Sequence, residues 1–222
     1  MARKQARRPG RKAPVKRGRR ADRRPALLIA AAIVVVVGAL AAAVVATSGP
    51  SGTTGPNNTA PTLLASTTGQ AQGQPVDAVE CQQMEQVLYH IHAHVAVYVN
   101  GDPRLIPAGV GIVGGVPQST SGGPVVVSGN CFYWLHSHTQ DGIIHIESPQ
   151  ARTYTLGNFF DIWRQPLSGD RVGPAQGHVF VYLNGKRFSG DPRSVPLTAH
   201  ALIQLSVGRD VAPQPFVFPP GL

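Results

Sequence analysis

Several features that would identify a common protein class are scarce or missing in this sequence. Methionine occurs only twice, as Met1 and Met84, so a carrier that binds Cu(I) through clustered thioethers is disfavoured. There is no His-Glu-x-x-His motif of zinc proteases and no Gly-x-Ser-x-Gly motif of α/β-hydrolases. No glutamate follows either His-x-His segment at the spacing of a cupin. The sequence therefore matches none of these enzyme classes.

Most of the chain also lacks an excess of positive charge, although the net charge of the whole sequence is +9. Residues 1–24 carry twelve of the 20 Lys and Arg, and the rest of the chain has eight basic and ten acidic residues. Nucleic-acid binding needs cations clustered on the folded surface. We therefore expect no nucleic-acid partner.

An unbroken apolar run follows this basic head, over residues 26–46. About 20 such residues span the hydrocarbon core of a membrane, and dense basic charge before the run places the N-terminus in the cytoplasm. The sequence predicts a basic cytoplasmic tail at 1–25 and a transmembrane helix at 26–46 that crosses the cell membrane once. The rest of the chain is then expected outside the cytoplasm. A cleaved signal peptide is the alternative, but its apolar region is usually about 7–15 residues long.

The remainder is predicted to be a flexible linker followed by one folded domain. Residues 47–75 are rich in Ser, Thr, Gly and Pro, which is typical of a tether. Residues 76–222 predict an α+β, mainly β domain. Its expected helices cover 77–87 and 156–163, the second capped by Thr155. Its main expected strands cover 90–99, 104–113, 131–138, 143–147, 178–183 and 195–207.

Two further patterns concern the topology of this domain. Residues 94–101 and 178–185 are similar, and each ends in Asn-Gly, a strong hairpin turn signal. They are either two good hairpins or two related lobes. From Cys131 onward, the order strand, strand, helix, strand, strand and the segment Val-Tyr-Leu-Asn-Gly-Lys at 181–186 resemble a β-grasp domain. The resemblance implies a helix packed on a small mixed sheet and implies no function.

Six of the eight histidines fall in two short segments. Residues two apart on a strand point to the same face, and the spacing of these histidines is mostly two. A hairpin turn at residues 139–142 would also place His136 directly opposite His145. The predicted metal ligands are therefore His90, His92, His94, His136, His138 and His145. Asp141 and Glu147 are predicted either to orient these ligands by hydrogen bonds or to act as a general base beside metal-bound water.

Strand geometry limits how these ligands can be shared. Residues four apart on a strand are about 13 Å apart, so His90 and His94 cannot both bind one ion. Either one ion takes neighbours from both segments, or there are two ions. Imidazole ligands favour a transition metal, with copper or zinc as the expected cofactor.

The two cysteines, Cys81 and Cys131, are predicted to form a disulfide, because an even pair in an exported domain usually does. The alternative is that one thiolate binds the metal.

The functional expectation is a membrane-anchored, extracytoplasmic protein that binds copper or zinc, for metal trafficking or storage, and that has a membrane or extracytoplasmic partner. The alternatives are a metalloenzyme, either a zinc hydrolase or a copper or iron oxidoreductase, a structural metal clamp, and a histidine cluster that responds to pH without metal. The sequence does not decide whether the protein is an enzyme.

Overall fold

The computed structural model describes residues 60–222. The predicted tail and transmembrane helix, and the linker as far as residue 59, lie outside the described residues. Within residues 60–222, no helix combines the length and the apolar character that crossing a membrane requires.

The described part of the chain is mainly β, as predicted. Its strands are Thr62–Leu63 (β1), Cys81–Gln82 (β2), Tyr89–Val99 (β3), Asp102–Leu105 (β4), Ile112–Val113 (β5), Gln118–Thr120 (β6), Gly123–Val125 (β7), Cys131–Tyr133 (β8), Leu135–His136 (β9), Ile143–Ser148 (β10), Leu167–Ser168 (β11), Arg171–Val172 (β12), Ala175–Gln176 (β13), Val179–Leu183 (β14), Lys186–Phe188 (β15) and Leu202–Val207 (β16). Its helices are Leu156–Trp163 (α1) and a 3-10 turn at Pro192–Ser194.

One eight-stranded sheet organises the fold around β3, its longest strand. The hydrogen-bonded order is β1-β4-β3-β16-β14-β15, and β10 also pairs with β3 and with β9. The first half of β3 pairs antiparallel with β10, and its second half pairs parallel with β16 and antiparallel with β4. Because β3 lies between β10 and β16, the main strands after Cys131 share their sheet with β3, and only the short strands β11, β12 and β13 form a sheet of their own. The β-grasp comparison is therefore wrong as a separate C-terminal unit.

The hydrophobic core lies on one face of this sheet. Along β3, Ala93, Val95 and Val97 are buried in the core, whereas the histidines alternate with them on the other face. Helix α1 packs Leu156, Phe159, Phe160 and Trp163 into the same core. Its predicted bounds and its N-cap at Thr155 are confirmed.

The repeated Asn-Gly segments are both hairpin turns. Asn100 and Gly101, between β3 and β4, have φ values of 55° and 98°. Asn184 and Gly185, between β14 and β15, have φ values of 50° and 75°. Positive φ at both positions is typical of the type I′ turn, which suits the twist of paired strands. Both hairpins belong to one sheet, which argues against two separate lobes.

The structure corrects two predictions before β3. No helix covers residues 77–87; β2 lies there, and Met84 and Val87 of the supposed apolar face are each 75% exposed. The linker prediction is also too long at its C-terminal end, because β1 pairs with β4 and Gln70 and Ala71 are buried. The polar composition of this segment gave no sign that it is folded, because the buried Gln70 is held by hydrogen bonds of its amide rather than by apolar contacts.

Candidate metal centre

Three adjacent strands bring the histidines together in rows across the sheet. In the register of β9, β10 and β3, His136 pairs with His145, and His145 pairs with His92. Glu147 pairs with His90 in the next row. The predicted opposition of His136 and His145 is confirmed. Side chains at paired positions lie within about 4.5–5.5 Å of each other, so the sheet itself builds the site.

The first set of donors consists of His90, His92, His145 and Glu147, called here the four-donor group. The Nε2 atoms of His90 and His92 are 3.0 Å apart, and His92 Nε2 is 3.2 Å from His145 Nδ1. Glu147 Oε1 is 3.2 Å from His145 Nδ1 and 3.1 Å from His90 Nε2. The four atoms therefore form a closed ring of contacts.

Hydrogen bonds alone do not satisfy this ring of contacts. An imidazole nitrogen carries either one hydrogen or one lone pair in the ring plane. A hydrogen on one nitrogen can serve only one neighbour, and a protonated nitrogen cannot accept. No assignment of hydrogens therefore turns all four contacts into hydrogen bonds, whereas one central cation can contact all four lone pairs.

Glu147 adds a buried negative charge to the group. Its side chain is 4% exposed, and within residues 60–222 no Lys or Arg forms an ion pair with it. Burial raises the pKa of its carboxyl, but the hydrogen bond from His145 and the nearby His136 and His90 outweigh burial and lower it below its ordinary value. A buried anion without a cation partner is costly, and a bound metal ion would compensate its charge.

The second set of donors consists of His136, His138 and Glu85, called here the paired-histidine group. His136 Nδ1 donates to the Tyr133 carbonyl at 2.8 Å, and His138 Nδ1 donates to the Val126 carbonyl at 2.6 Å. A carbonyl can only accept, so both Nδ1 atoms carry the hydrogen and both Nε2 atoms present lone pairs. Backbone carbonyls orient metal-binding histidines in this way in many proteins.

The buried histidines of both groups are held in the neutral form that a metal requires. Burial and the neighbouring His138 lower the pKa of His136 to about 3. Burial and the neighbouring His145 and His90 lower the pKa of His92 to about 4. Protonated imidazole cannot bind a metal, so these pKa values keep the donors available at neutral pH.

A loop held by Gln70 closes the site over His136. The Gln70 side chain bonds to the backbone of Gly109, Gly111 and Ile112. Gly111 has a φ of 74°, and a Cβ there would lie 2.3 Å from the Leu135 carbonyl and 3.0 Å from His136 Cβ. Only glycine allows this close approach, which leaves His136 fully buried.

Two residues predicted to belong to the site lie elsewhere in the structure. His94 Nε2 donates to the Asp141 carbonyl at 3.0 Å, and the His94 ring stacks on Phe216 at 3.5 Å. The Asp141 carboxylate accepts from the Ile143 amide in the turn before β10. His94 and Asp141 belong to neither donor group. Glu147, predicted as a supporting residue, instead offers its oxygen as a donor.

Glu85 lies beside His136 and His138, although the sequence pattern predicted it on a helix and gave it no role in the site. Glu85 follows β2, which is tied to β8 by the Cys81–Cys131 disulfide with a Cα–Cα distance of 5.5 Å. The predicted disulfide is confirmed, so neither cysteine is a thiolate ligand. The only available signal for Glu85 was its position shortly after Cys81.

Comparisons of the chain with protein-family models, with curated proteins and with solved structures give no match. The function is therefore inferred from the geometry of the two donor groups.

Proposed function

We propose that this protein binds a transition-metal ion through the four-donor group, outside the cytoplasm and anchored to the membrane by residues 26–46, and that it stores or transfers that ion. The observation that carries the proposal is the closed ring of four donor atoms separated by 3.0–3.2 Å. Four ligands at about 2.0–2.1 Å around a tetrahedral ion are about 3.4 Å apart. A small increase in each donor–donor separation would convert the observed ring into a tetrahedral metal site.

The donor chemistry narrows the metal. Three imidazole nitrogens and one carboxylate oxygen suit Zn(II) or Cu(II), whereas Ca²⁺ and Mg²⁺ prefer oxygen ligands. The apolar run before the domain and the basic residues that precede it support the membrane anchor and the outward orientation. The disulfide supports an oxidising compartment.

Reversible binding is favoured over a structural clamp. Strands β3 and β10 pair over six residue pairs through their backbones, so a metal ion would add little as a clamp between them. His90 is 39% exposed at the edge of the group, which gives an ion a path to solvent or to a partner. A catalytic zinc site keeps one coordination position open, and the four-donor group has four protein donors, which favours binding over catalysis.

The test measures metal on the full-length chain purified in detergent. Elemental analysis by mass spectrometry gives the native metal, and titration with Zn(II) and Cu(II) gives affinity. We expect His92→Ala to lose the ion of the four-donor group. The control is His178→Ala, because His178 is an exposed histidine just before β14 and belongs to neither group. Full metal content and affinity in His92→Ala would overturn the proposal.

A further inference from the structure

We propose that a second transition-metal ion binds beside the first, held by the paired-histidine group and by Glu147, so that the two donor groups form one dinuclear centre. This inference rests on the proposed function, because the first ion is the one assigned to the four-donor group. It adds a ligand, Glu85, and gives Glu147 a bridging role.

Two nitrogen lone pairs face each other in the paired-histidine group. His136 Nε2 and His138 Nε2 are 3.1 Å apart. Both rings use their only hydrogen at Nδ1, on the carbonyls of Tyr133 and Val126. No hydrogen therefore lies between the two Nε2 atoms of the neutral rings. Two acceptors at this distance repel each other unless a cation lies between them.

A carboxylate oxygen approaches the same two nitrogen atoms. Glu85 Oε1 is 3.2 Å from His138 Nε2 and 3.8 Å from His136 Nε2. All three atoms are lone-pair donors toward a common point. Glu85 is brought there by the segment after β2, whose position is fixed by the Cys81–Cys131 disulfide. Two nitrogens and one carboxylate oxygen are a common donor set for Zn(II) and Cu(II).

Glu147 faces the two groups with different oxygens. Its Oε1 completes the four-donor group, and its Oε2 is 4.0 Å from His136 Nε2. Glu85, His136 and Glu147 have donor atoms within 4.8 Å of one another. A carboxylate with one oxygen toward each ion is a bridge, and bridged pairs of ions typically lie about 3.5–4 Å apart.

A single ion does not account for both groups. The two groups together present seven side-chain donors, and His145 lies within 4.8 Å of donors in each of them. A tetrahedral ion uses four donors, which leaves the paired-histidine group without a cation. Two divalent ions would also exceed the charge of Glu85 and Glu147. The centre would therefore favour a small bridging anion such as hydroxide.

The experiment loads the full-length protein with Cu(II) and measures both stoichiometry and electron paramagnetic resonance. We expect two ions per chain and the signature of two interacting Cu(II) ions, including a half-field line. The same stoichiometry is expected with Zn(II). His138→Ala should bind one ion and give the spectrum of an isolated Cu(II). His90→Ala should weaken the first ion and keep the paired-histidine ion.

Glu85→Gln is a variant that we expect to fold like the wild type. Glu85 is 38% exposed and lies outside any helix or strand, so the substitution preserves shape and removes only the charge. We expect the second ion to bind about tenfold or more weakly, with the first unchanged. Unchanged affinity of the second ion would remove Glu85 from the centre.

The remaining outcomes separate this inference from the proposed function. One ion per chain that is unaffected by His138→Ala overturns the dinuclear centre and leaves the four-donor site in place. Two ions without magnetic interaction overturn the bridge. No bound ion in wild type overturns both proposals. One ion that is lost in both His138→Ala and His90→Ala means a single shared site and overturns the assignment of two groups.

Discussion

Two neighbouring rows of side chains cross the same three strands and face opposite sides of the sheet. One row points into the core and consists of Leu135, Ile146 and Ile91. The next row points away from the core and consists of His136, His145 and His92. Both rows belong to the same two antiparallel ladders, so the comparison between them mainly shows what the side chains contribute.

The apolar row stabilises the fold, and the histidine row depends on it. Burying Ile146 and Leu135 contributes roughly 1.5–3 kcal/mol each. Burying His136 and His92 contributes little by comparison, because each imidazole loses its hydration and must find new partners. The strands are therefore held by one face, while the other face carries donors that a bound cation would satisfy. This arrangement gives a site that is formed before metal arrives.

The largest expected loss of stability comes from a substitution in the apolar row. Ile146→Ala removes a fully buried side chain that faces Ile91 and Leu135, and should lower the free energy of unfolding by about 2–5 kcal/mol. Denaturant unfolding in the presence of a chelator measures this loss. The matched variant is His145→Ala on the adjacent position, which should cost less in the metal-free protein. A larger loss for His145→Ala would contradict the comparison.

The next effect concerns the stability that metal adds. An ion present at 100 times its Kd stabilises the folded state by about 2.7 kcal/mol. We expect metal to raise the free energy of unfolding of Ile146→Ala by the same amount as in the wild type. In His92→Ala most of this gain should be lost. Unfolding curves with and without Zn(II) give the increment for each variant, and His178→Ala serves as control. An increment that survives in His92→Ala would place the ion elsewhere.

A third effect follows from the lowered pKa values of the histidine row. His136 has a folded-state pKa of about 3 and His92 of about 4, both below the unfolded value of 6.5. The unfolded chain therefore binds protons first as the pH falls. Stability in the metal-free protein should be complete above pH 6.5 and decrease toward pH 4, by up to about 1.4 kcal/mol per pH unit for each group.

Denaturant unfolding at a series of pH values checks this dependence. His136→Gln, which cannot titrate, should give a shallower slope between pH 6.5 and 5 than the wild type. If the metal-free protein and His136→Gln lose stability with the same slope over this range, burial of neutral His136 is not the cause.

The sequence predicted the histidine rows because a strand has a strict period of two. The spacing of two put His90 and His92 on one face of their strand, and the turn at residues 139–142 was enough to place His136 opposite His145. The sequence pattern could not predict which strand lies beside β10, because β3 and β10 are separated by more than forty residues along the chain. Pairing over that distance depends on the whole sheet rather than on local pattern.

Residues that act through loops were the least predictable. Glu85 reaches the paired-histidine group from a segment without regular structure, and Gln70 supports the site from a stretch whose composition is typical of a linker. No periodicity marks either residue. The helix at residues 77–87 was wrong because the apolar spacing of Val79, Met84 and Val87 is not matched by burial of the last two.

The smallest expected change in stability concerns His94, which lies on the same face of β3 as His92. His92 offers its Nε2 to the four-donor group, whereas His94 uses its Nε2–H on the Asp141 carbonyl at 3.0 Å. His94→Ala should destabilise the fold by about 1 kcal/mol through the lost hydrogen bond. It should leave metal affinity within about twofold, because sites without shared partners couple weakly.

Isothermal titration of Cu(II) or Zn(II) into His94→Ala, beside His92→Ala, gives the decisive pair of affinities. The two variants remove the same chemical group from positions two residues apart on β3, so general effects of losing an imidazole cancel between them. If His94→Ala loses an ion while His92→Ala keeps it, the metal is bound further along β3, near Asp141 and Phe216. The ring of four donors would then be explained by side-chain packing alone, since its members would be close to one another without sharing a cation.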